Sequence, residues 1–163
     1  MFSSMHRLFC LSLLFLSLGL AVPAKADAVQ SVLSAVNAAR SKAGCGPLRT
    51  DPALMAAAKG HATAMAEQNF FSHTGKDGSR FSSRIKRQGY SFRDAAENIA
   101  AGQKSAGQVM QSWLKSAGHR RNILDCGMTE TGIAVVYQAD DKPLRGNRYA
   151  LRYYWVQVFA APS

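Results

Sequence analysis

Two cysteines, Cys45 and Cys126, set the strongest limit on how this chain can fold. A third, Cys10, lies in an N-terminal segment that we expect to be removed. An even pair in an exported domain indicates a disulfide, which here would close a loop of about 80 residues. In the chain-entropy model, such a loop stabilises the fold by roughly 4 to 5 kcal/mol. Two free buried thiols are the alternative, so the prediction depends on whether the chain is exported.

The N-terminal segment has the parts of a secretory signal peptide. His6 and Arg7 precede an apolar stretch from Leu8 to Leu20, and the small-residue triplet Ala24-Lys25-Ala26 follows. The apolar stretch is shorter than the roughly 20 residues that cross a bilayer, and no later segment predicts a transmembrane anchor. We therefore expect a signal peptide over residues 1–26, cleavage after Ala26, and a secreted or periplasmic protein.

Residues 27–163 are enough for a single domain with a hydrophobic core and leave no room for a second one. The chain is basic, with 20 Lys and Arg against 10 Asp and Glu and a net charge of +10. Loss of Arg7 and Lys25 with the signal would lower this charge to about +8. A basic surface suits anionic envelope components such as polysaccharide or lipid headgroups. The scattered basic residues and the absence of a recognition motif disfavour nucleic acid.

Apolar periodicity and capping signals predict four helices followed by two strands. The predicted helices cover Ala28 to Lys42, Pro52 to Gln68 after an Asp51 cap, Phe81 to Gln88, and Ser105 to Lys115 with a break at Gly118. The predicted strands, Thr131 to Gln138 and Tyr149 to Phe159, are separated by turn-forming residues and should pair as an antiparallel hairpin. The second strand is apolar on both faces, so helices should cover both sides of the sheet.

A series of short motifs, in order and at matching spacing, resembles the bacterial branch of the CAP superfamily (cysteine-rich secretory proteins, antigen 5 and pathogenesis-related proteins). The motifs are His61-Ala62 with Met65-Ala66, Asn69-Phe70-Phe71-Ser72-His73, Asp77-Gly78, Arg84-Ile85 with Gly89-Tyr90, Glu97-Asn98-Ile99-Ala100, Trp113, Gly118-His119-Arg120 with Asn122-Ile123, Thr129-Glu130 with Gly132, and Trp155 with Gln157 and Phe159. They span roughly residues 28–160. The resemblance implies an α+β fold, a three-layer α-β-α sandwich with a small antiparallel sheet and a cleft beside it.

The resemblance also implies which residues line that cleft. Members of the superfamily commonly gather two histidines and two glutamates there, and the matching residues are His73, Glu97 and His119. The second glutamate is replaced by Ser116, as is usual in the bacterial branch. Asn122 is a further cleft candidate, since buried amides satisfy irregular backbone well.

Two imidazoles and a carboxylate form an acceptable set of Zn²⁺ ligands, with an open position for water. The candidate ligands are His73, His119 and Glu97, and Glu97 is also the candidate base. Their spacing alone matches no compact metal motif, so this prediction depends on the resemblance. Each residue also has a purely structural interpretation: His73 as a turn cap, Glu97 as an acceptor of backbone N–H groups before Ser105, and His119 as a helix-end cation.

Other polar and aromatic residues favour structural roles. His61 lies on the apolar face of the second helix and is expected to be a buried histidine outside the site. Trp113, Tyr153 and Trp155 can line a lipid groove, but their periodicity favours the core. A serine hydrolase triad of Ser116, His119 and Glu97 has the right residue types but lacks the Gly-x-Ser-x-Gly turn.

The leading functional prediction is a binding module at the cell envelope, with a His/Glu cleft for a divalent metal, a small molecule or a lipid. The alternative is a metal-assisted hydrolase, a peptidase or esterase, that uses His73, Glu97 and His119. A third class is an envelope or matrix protein that acts only through its charged exterior. Sequence favours binding over catalysis because one of the four polar cleft residues is absent.

Overall fold

The computed structural model describes residues 24–163. The predicted signal peptide and Cys10 lie outside this range, except for residues 24–26, at the start of the first helix. The helices are α1 (Ala24–Lys42), α2 (Pro52–Glu67), α3 (Phe81–Arg87), α4 (Ala106–Lys115) and α5 (Ala117–Ile123), and the strands are β1 (Arg49–Thr50), β2 (Phe92–Ala101), β3 (Glu130–Tyr137) and β4 (Tyr153–Pro162). None of these helices has the length and apolarity to cross a bilayer.

The first two helices form where they were predicted, and local sequence signals explain their bounds. Gly44 adopts φ +80 just after the end of α1, a left-handed conformation that glycine reaches without a Cβ penalty. Asp51 caps α2, because its carboxylate accepts hydrogen bonds from the backbone N–H groups of Ala53 (2.8 Å) and Leu54 (3.0 Å). Pro52 then occupies the first helical position, where no N–H is needed.

The four strands form one sheet in the order β1-β3-β4-β2. The predicted antiparallel pairing of β3 with β4 is confirmed, and β2 pairs antiparallel with the other side of β4. The two-residue β1 joins β3 in parallel, which makes the sheet mixed instead of purely antiparallel. Strand β4 therefore lies inside the sheet, and β2 forms a free edge of the sheet that residues 24–163 build.

Helices cover both faces of the sheet, as the apolar pattern of β4 predicts. Alternate residues of β4, from Tyr154 to Ala160, face a core cluster built with α2 and with Ile85 of α3. Trp155 and Phe159 face the other cluster, built with α1, α4 and α5. The predicted α+β three-layer sandwich is confirmed, with α2 and α3 in one outer layer and the other helices in the second.

The sequence prediction did not include β2, and the composition of this segment explains the omission. Residues 92–101 read Phe-Arg-Asp-Ala-Ala-Glu-Asn-Ile-Ala-Ala, and Ala, Asp, Glu and Asn are all depleted in strands. Pairing along β4, from Phe92↔Pro162 to Ala101↔Tyr154, overrides that weak local preference.

Two other boundaries differ from the prediction. The predicted break at Gly118 is wrong, because α4 ends at Lys115 and Ser116 is extended (φ −83, ψ 122), while Gly118 lies inside α5. Strand β4 begins at Tyr153, and Tyr149, the predicted first residue of that strand, is 70 % exposed in the preceding loop.

The predicted disulfide between Cys45 and Cys126 is present, with 4.9 Å between the Cα atoms, so the free-thiol alternative is wrong. Beside it the buried Arg40 of α1 donates to the carbonyls of Gly46, Ile123, Asp125 and Met128 at 2.7 to 2.9 Å. Burial lowers the pKa of this guanidinium from its ordinary value. The disulfide and Arg40 together hold the segment between α5 and β3 against α1.

Candidate functional site

A cleft of about 380 Å³ opens along the free edge of β2. Its walls are the loop around His73, the start of α3 at Arg80 and Phe81, the strand at Ala95 to Glu97, and Asn122 of α5. The edge position of β2 explains the cleft, because side chains from both faces of the sheet can meet where no further strand follows. One backbone group of this edge binds a side chain, because the Ala95 N–H donates to the Asp94 carboxylate at 2.8 Å.

Glu97 is the centre of a buried ion pair beside this cleft. Its side chain is 1 % exposed. Oε1 accepts a hydrogen bond from His73 Nδ1 at 2.8 Å, and Oε2 accepts one from Arg84 Nη2 at 2.8 Å. Arg84 is itself only 9 % exposed, whereas the His73 side chain is 52 % exposed. Both carboxylate oxygens therefore have protein partners, and His73 is the member of the group that solvent reaches.

Two buried side chains hold the loop that carries His73. His61 Nε2 donates to the Ser72 carbonyl at 2.9 Å, and Arg84 donates to the carbonyls of His73 (3.0 Å) and Ser79 (2.8 Å). Burial is the largest cause of the lowered pKa of His61. The predicted structural role of His61 fits this position, because the residue is 1 % exposed. The loop is thus fixed from α2 on one side and from α3 on the other.

His119 lies on α5, which packs against β2. The Asn98 side chain donates to the His119 carbonyl at 3.1 Å, and the Asn122 amide donates to Asn98 Oδ1 (2.9 Å) and to the Glu97 carbonyl (3.4 Å). The pKa of His119 is lowered by burial first, and also by the nearby imidazole of His73. His119 is half-buried and lies next to the residues that line the cleft.

Of the predicted site residues, His73, Glu97 and Asn122 meet around one cleft, with His119 adjacent. Glu97 lies within β2, so its predicted alternative role in a turn before Ser105 is wrong. The serine hydrolase triad is not supported, because Glu97 is bonded to His73 and Arg84 instead of orienting His119.

The sequence prediction left Arg84 out of the site. The sequence of α3 contains a signal for a buried role of Arg84. This residue falls on the same helix face as Phe81 and directly precedes the fully buried Ile85. A charge on the apolar face of an amphipathic helix requires a buried partner. That partner is Glu97.

The zinc site predicted from His73, His119 and Glu97 stays a prediction. Among residues 24–163, no three His, Cys, Asp or Glu side chains are grouped so that they can hold one ion. Glu97 is already bonded to His73 and to the buried Arg84, so an ion bound to this carboxylate would compete with both partners. Leaving Arg84 without its partner would cost several kcal/mol, roughly as for other broken buried pairs.

The aromatic residues considered for a lipid groove belong mostly to the core. Trp113 is 0 % and Trp155 is 1 % exposed, and their indole N–H groups donate to the carbonyls of Ile99 (3.3 Å) and Gln103 (2.7 Å). Tyr153 is half-buried and stacks obliquely against Tyr137, with 4.8 Å between ring centroids.

With this fold and site described, comparison with known proteins defines the class. The model of the cysteine-rich secretory protein (CAP) family matches residues 33–159, so the chain belongs to that family. It is 38 % identical over 108 residues to the uncharacterized protein YkwD of Bacillus subtilis. The match covers 66 % of this chain and 42 % of YkwD, so the chain spans less than half the length of that relative.

Solved structures show the same fold. An extracellular protein containing an SCP domain from Bacillus anthracis superposes with a TM-score of 0.70 at 26 % identity, over 83 % of this chain and 41 % of the other. An outer surface protein from Borrelia burgdorferi superposes with a TM-score of 0.73 at 21 % identity, over 84 % of this chain and 94 % of the other. At such low identity the second likeness concerns the fold alone.

Proposed function

We propose that this chain is an exported binding module of the cell envelope, and that its cleft along β2 takes a small ligand bearing an anionic group. The observation that carries the proposal is the pairing of Glu97 with Arg84 and His73, each at 2.8 Å. This pairing offsets the negative charge of Glu97, the one acidic residue among the described residues that line the cleft.

The remaining polar groups of the cleft favour an anion. Arg80 lines the cleft and forms no ion pair with a described acidic residue, and His73 presents the exposed half of its imidazole. A guanidinium binds a carboxylate or phosphate through two parallel hydrogen bonds. In this proposal Glu97 is a positioning residue that orients His73, and neither carboxylate oxygen acts on the ligand.

Several observations support export to the envelope. The N-terminal segment has the pattern of a signal peptide, and the Cys45–Cys126 disulfide suits an oxidising compartment. The similar SCP-domain protein from Bacillus anthracis, at 26 % identity, carries the description extracellular. A net charge of +10, or about +8 once Arg7 and Lys25 leave with the signal peptide, favours association with anionic polymer or lipid headgroups over neutral surfaces.

The metal-assisted hydrolase has no comparable support. It requires Glu97 to hold an ion or to take a proton from water, and hydrogen bonds from His73 and Arg84 to its two oxygens disfavour both roles. A zinc titration therefore separates the two functions, because the hydrolase needs a metal site and the anion-binding cleft does not.

The test is a titration of the oxidised protein with inorganic phosphate at pH 7.5, followed by backbone amide NMR. We expect saturable shifts at Thr74, Arg80 and Asn122, and roughly tenfold weaker binding in Arg80→Ala, as for a lost charged hydrogen bond. Arg49→Ala, at the opposite edge of the sheet, is the matched control and should change affinity little. Saturable zinc binding that is lost in His73→Ala, with no phosphate shifts, would overturn the proposal in favour of the hydrolase.

A further inference from the structure

Residues 138–152 form a long loop between β3 and β4 that has its own anchor. The buried Asp141 accepts a hydrogen bond from the Arg152 N–H at 2.7 Å and from the Tyr154 hydroxyl at 3.1 Å. Burial is the first cause that raises the pKa of Tyr154, and the Asp141 carboxylate is the second. Ordered loops of this length, without secondary structure of their own, are commonly functional.

The backbone is strained where this loop joins β4. Arg152 has φ +63, in the left-handed region that residues with a Cβ avoid, while its side chain is exposed. Nothing in the packing requires an arginine there, since glycine would adopt the same conformation without strain. Strained residues of this kind persist where the surrounding structure holds them, here through the Asp141 carboxylate at the Arg152 N–H, and they cluster at functional sites.

The loop forms one wall of a basic and aromatic groove of about 600 Å³. We define the groove by Lys104, Arg148, Tyr149, Arg152 and Tyr153, and no acidic residue is among the described residues that line it. Tyr149 is 70 % exposed, and the Arg148 guanidinium lies 5.3 Å from the centre of its ring. The groove thus combines cations with the exposed ring of Tyr149 and the half-buried ring of Tyr153.

The groove is separate from the cleft and shares no lining residue with it. It lies beyond the C-terminal end of β2, where the Gly102 N–H donates to the Tyr153 carbonyl at 2.9 Å. The cleft contains Ala95 to Glu97 of the same strand. At the usual rise of a strand, the two regions are roughly 15 to 20 Å apart.

We infer that this groove binds an acidic polysaccharide. Tyrosine offers a flat apolar face on which a sugar ring can lie and a hydroxyl that stays in water. The guanidinium groups of Arg148 and Arg152 suit carboxylate or phosphate substituents on such a chain. An open groove, unlike a closed pocket, lets a polymer continue in both directions.

The exposed groups favour a polysaccharide over a membrane surface. An interfacial membrane site buries apolar side chains among the lipids. The exposed large hydrophobic residues near this groove are the tyrosines Tyr137 and Tyr149, each with a polar hydroxyl. This inference rests on the proposed role at the envelope, to which it adds a surface and a class of partner.

The experiment measures binding of the oxidised protein to immobilised polygalacturonate, a uronic acid polymer, in 150 mM salt, with neutral dextran as the control polymer. The groove variant is Arg148→Ala with Arg152→Gly, where glycine keeps the left-handed backbone. The matched variant is Lys42→Ala with Arg121→Ala, which removes the same charge from exposed positions elsewhere. We expect the groove variant to bind at least about tenfold more weakly and the matched variant to change by less than about threefold. Tyr149→Ser should also weaken binding, without any change in charge.

Equal losses in the two double variants would overturn the inference, because net charge alone would then explain the binding. Tighter binding to single-stranded DNA or to phosphatidylserine vesicles, with the same dependence on Arg148 and Tyr149, would assign the groove to that partner and overturn it as well. Arg80→Ala should leave polygalacturonate binding unchanged. The proposal for the cleft and the inference for the groove can therefore be refuted independently of each other. Thermal unfolding of each variant checks that the fold is intact.

Discussion

Replacing Arg84 by methionine tests whether the ion pair at the cleft holds this part of the fold together. The guanidinium is 9 % exposed and donates to Glu97 Oε2 (2.8 Å) and to the carbonyls of His73 (3.0 Å) and Ser79 (2.8 Å). Methionine fills similar space but leaves the Glu97 carboxylate, 1 % exposed, without its countercharge. Removing one member of a buried pair costs about 3 to 5 kcal/mol.

That cost is a large part of the 5 to 15 kcal/mol that stabilises an ordinary domain. We expect the melting temperature of Arg84→Met to fall by about 10 to 20 °C for a domain of this size. Urea unfolding of the oxidised protein at pH 7.5, followed by circular dichroism, measures the free energy of unfolding directly.

The matched control is Arg87→Met on the same helix. Arg87 pairs with Asp77 at 3.3 Å, but the two side chains are 56 % and 55 % exposed, so its loss should cost less than about 1 kcal/mol. The double variant Arg84→Met with Glu97→Leu removes both charges and should recover most of the lost stability. Equal losses in Arg84→Met and Arg87→Met, or no recovery in the double variant, would refute the reasoning.

Three further predictions concern other parts of the molecule. Gly132→Ala should lower the free energy of unfolding in urea by about 3 kcal/mol or more, because a Cβ at this position in β3 would lie 2.0 Å from the backbone carbon of Leu54 in α2. A smaller loss of stability would mean that α2 moves away easily. Because burial lowers the pKa of His61 below 6.5, the unfolded chain binds more protons just below that pH. Stability should therefore be complete above about pH 6.5 and decline as the pH falls towards 5, and His61→Gln should reduce the slope of this decline. Arg152→Gly alone should raise stability by about 1 kcal/mol by relieving the left-handed backbone, and unchanged or lower stability would contradict the strain at φ +63.

The sequence predicted the helices more accurately than the site because helix signals are local. The Asp51 cap, the Gly44 stop and the apolar stripe of α1 each act within a few residues. Strand β2 has no such signal, since its Ala-rich, Asp- and Glu-containing segment pairs only because β4 lies beside it. The short helix α5, which contacts β2, was also missed, since no side-chain hydrogen bond caps its start.

The sequence by itself determined the basic charge, the expected export, the single cysteine pair and the short motifs that match the CAP family. Only the tertiary structure decided the state of Glu97, because its partners His73 and Arg84 lie 24 and 13 residues away along the chain. The sequence alone does not show whether water, an ion or a buried guanidinium will surround a given carboxylate. Its environment depends on which face of β2 it occupies and on which loop and helix close over that face.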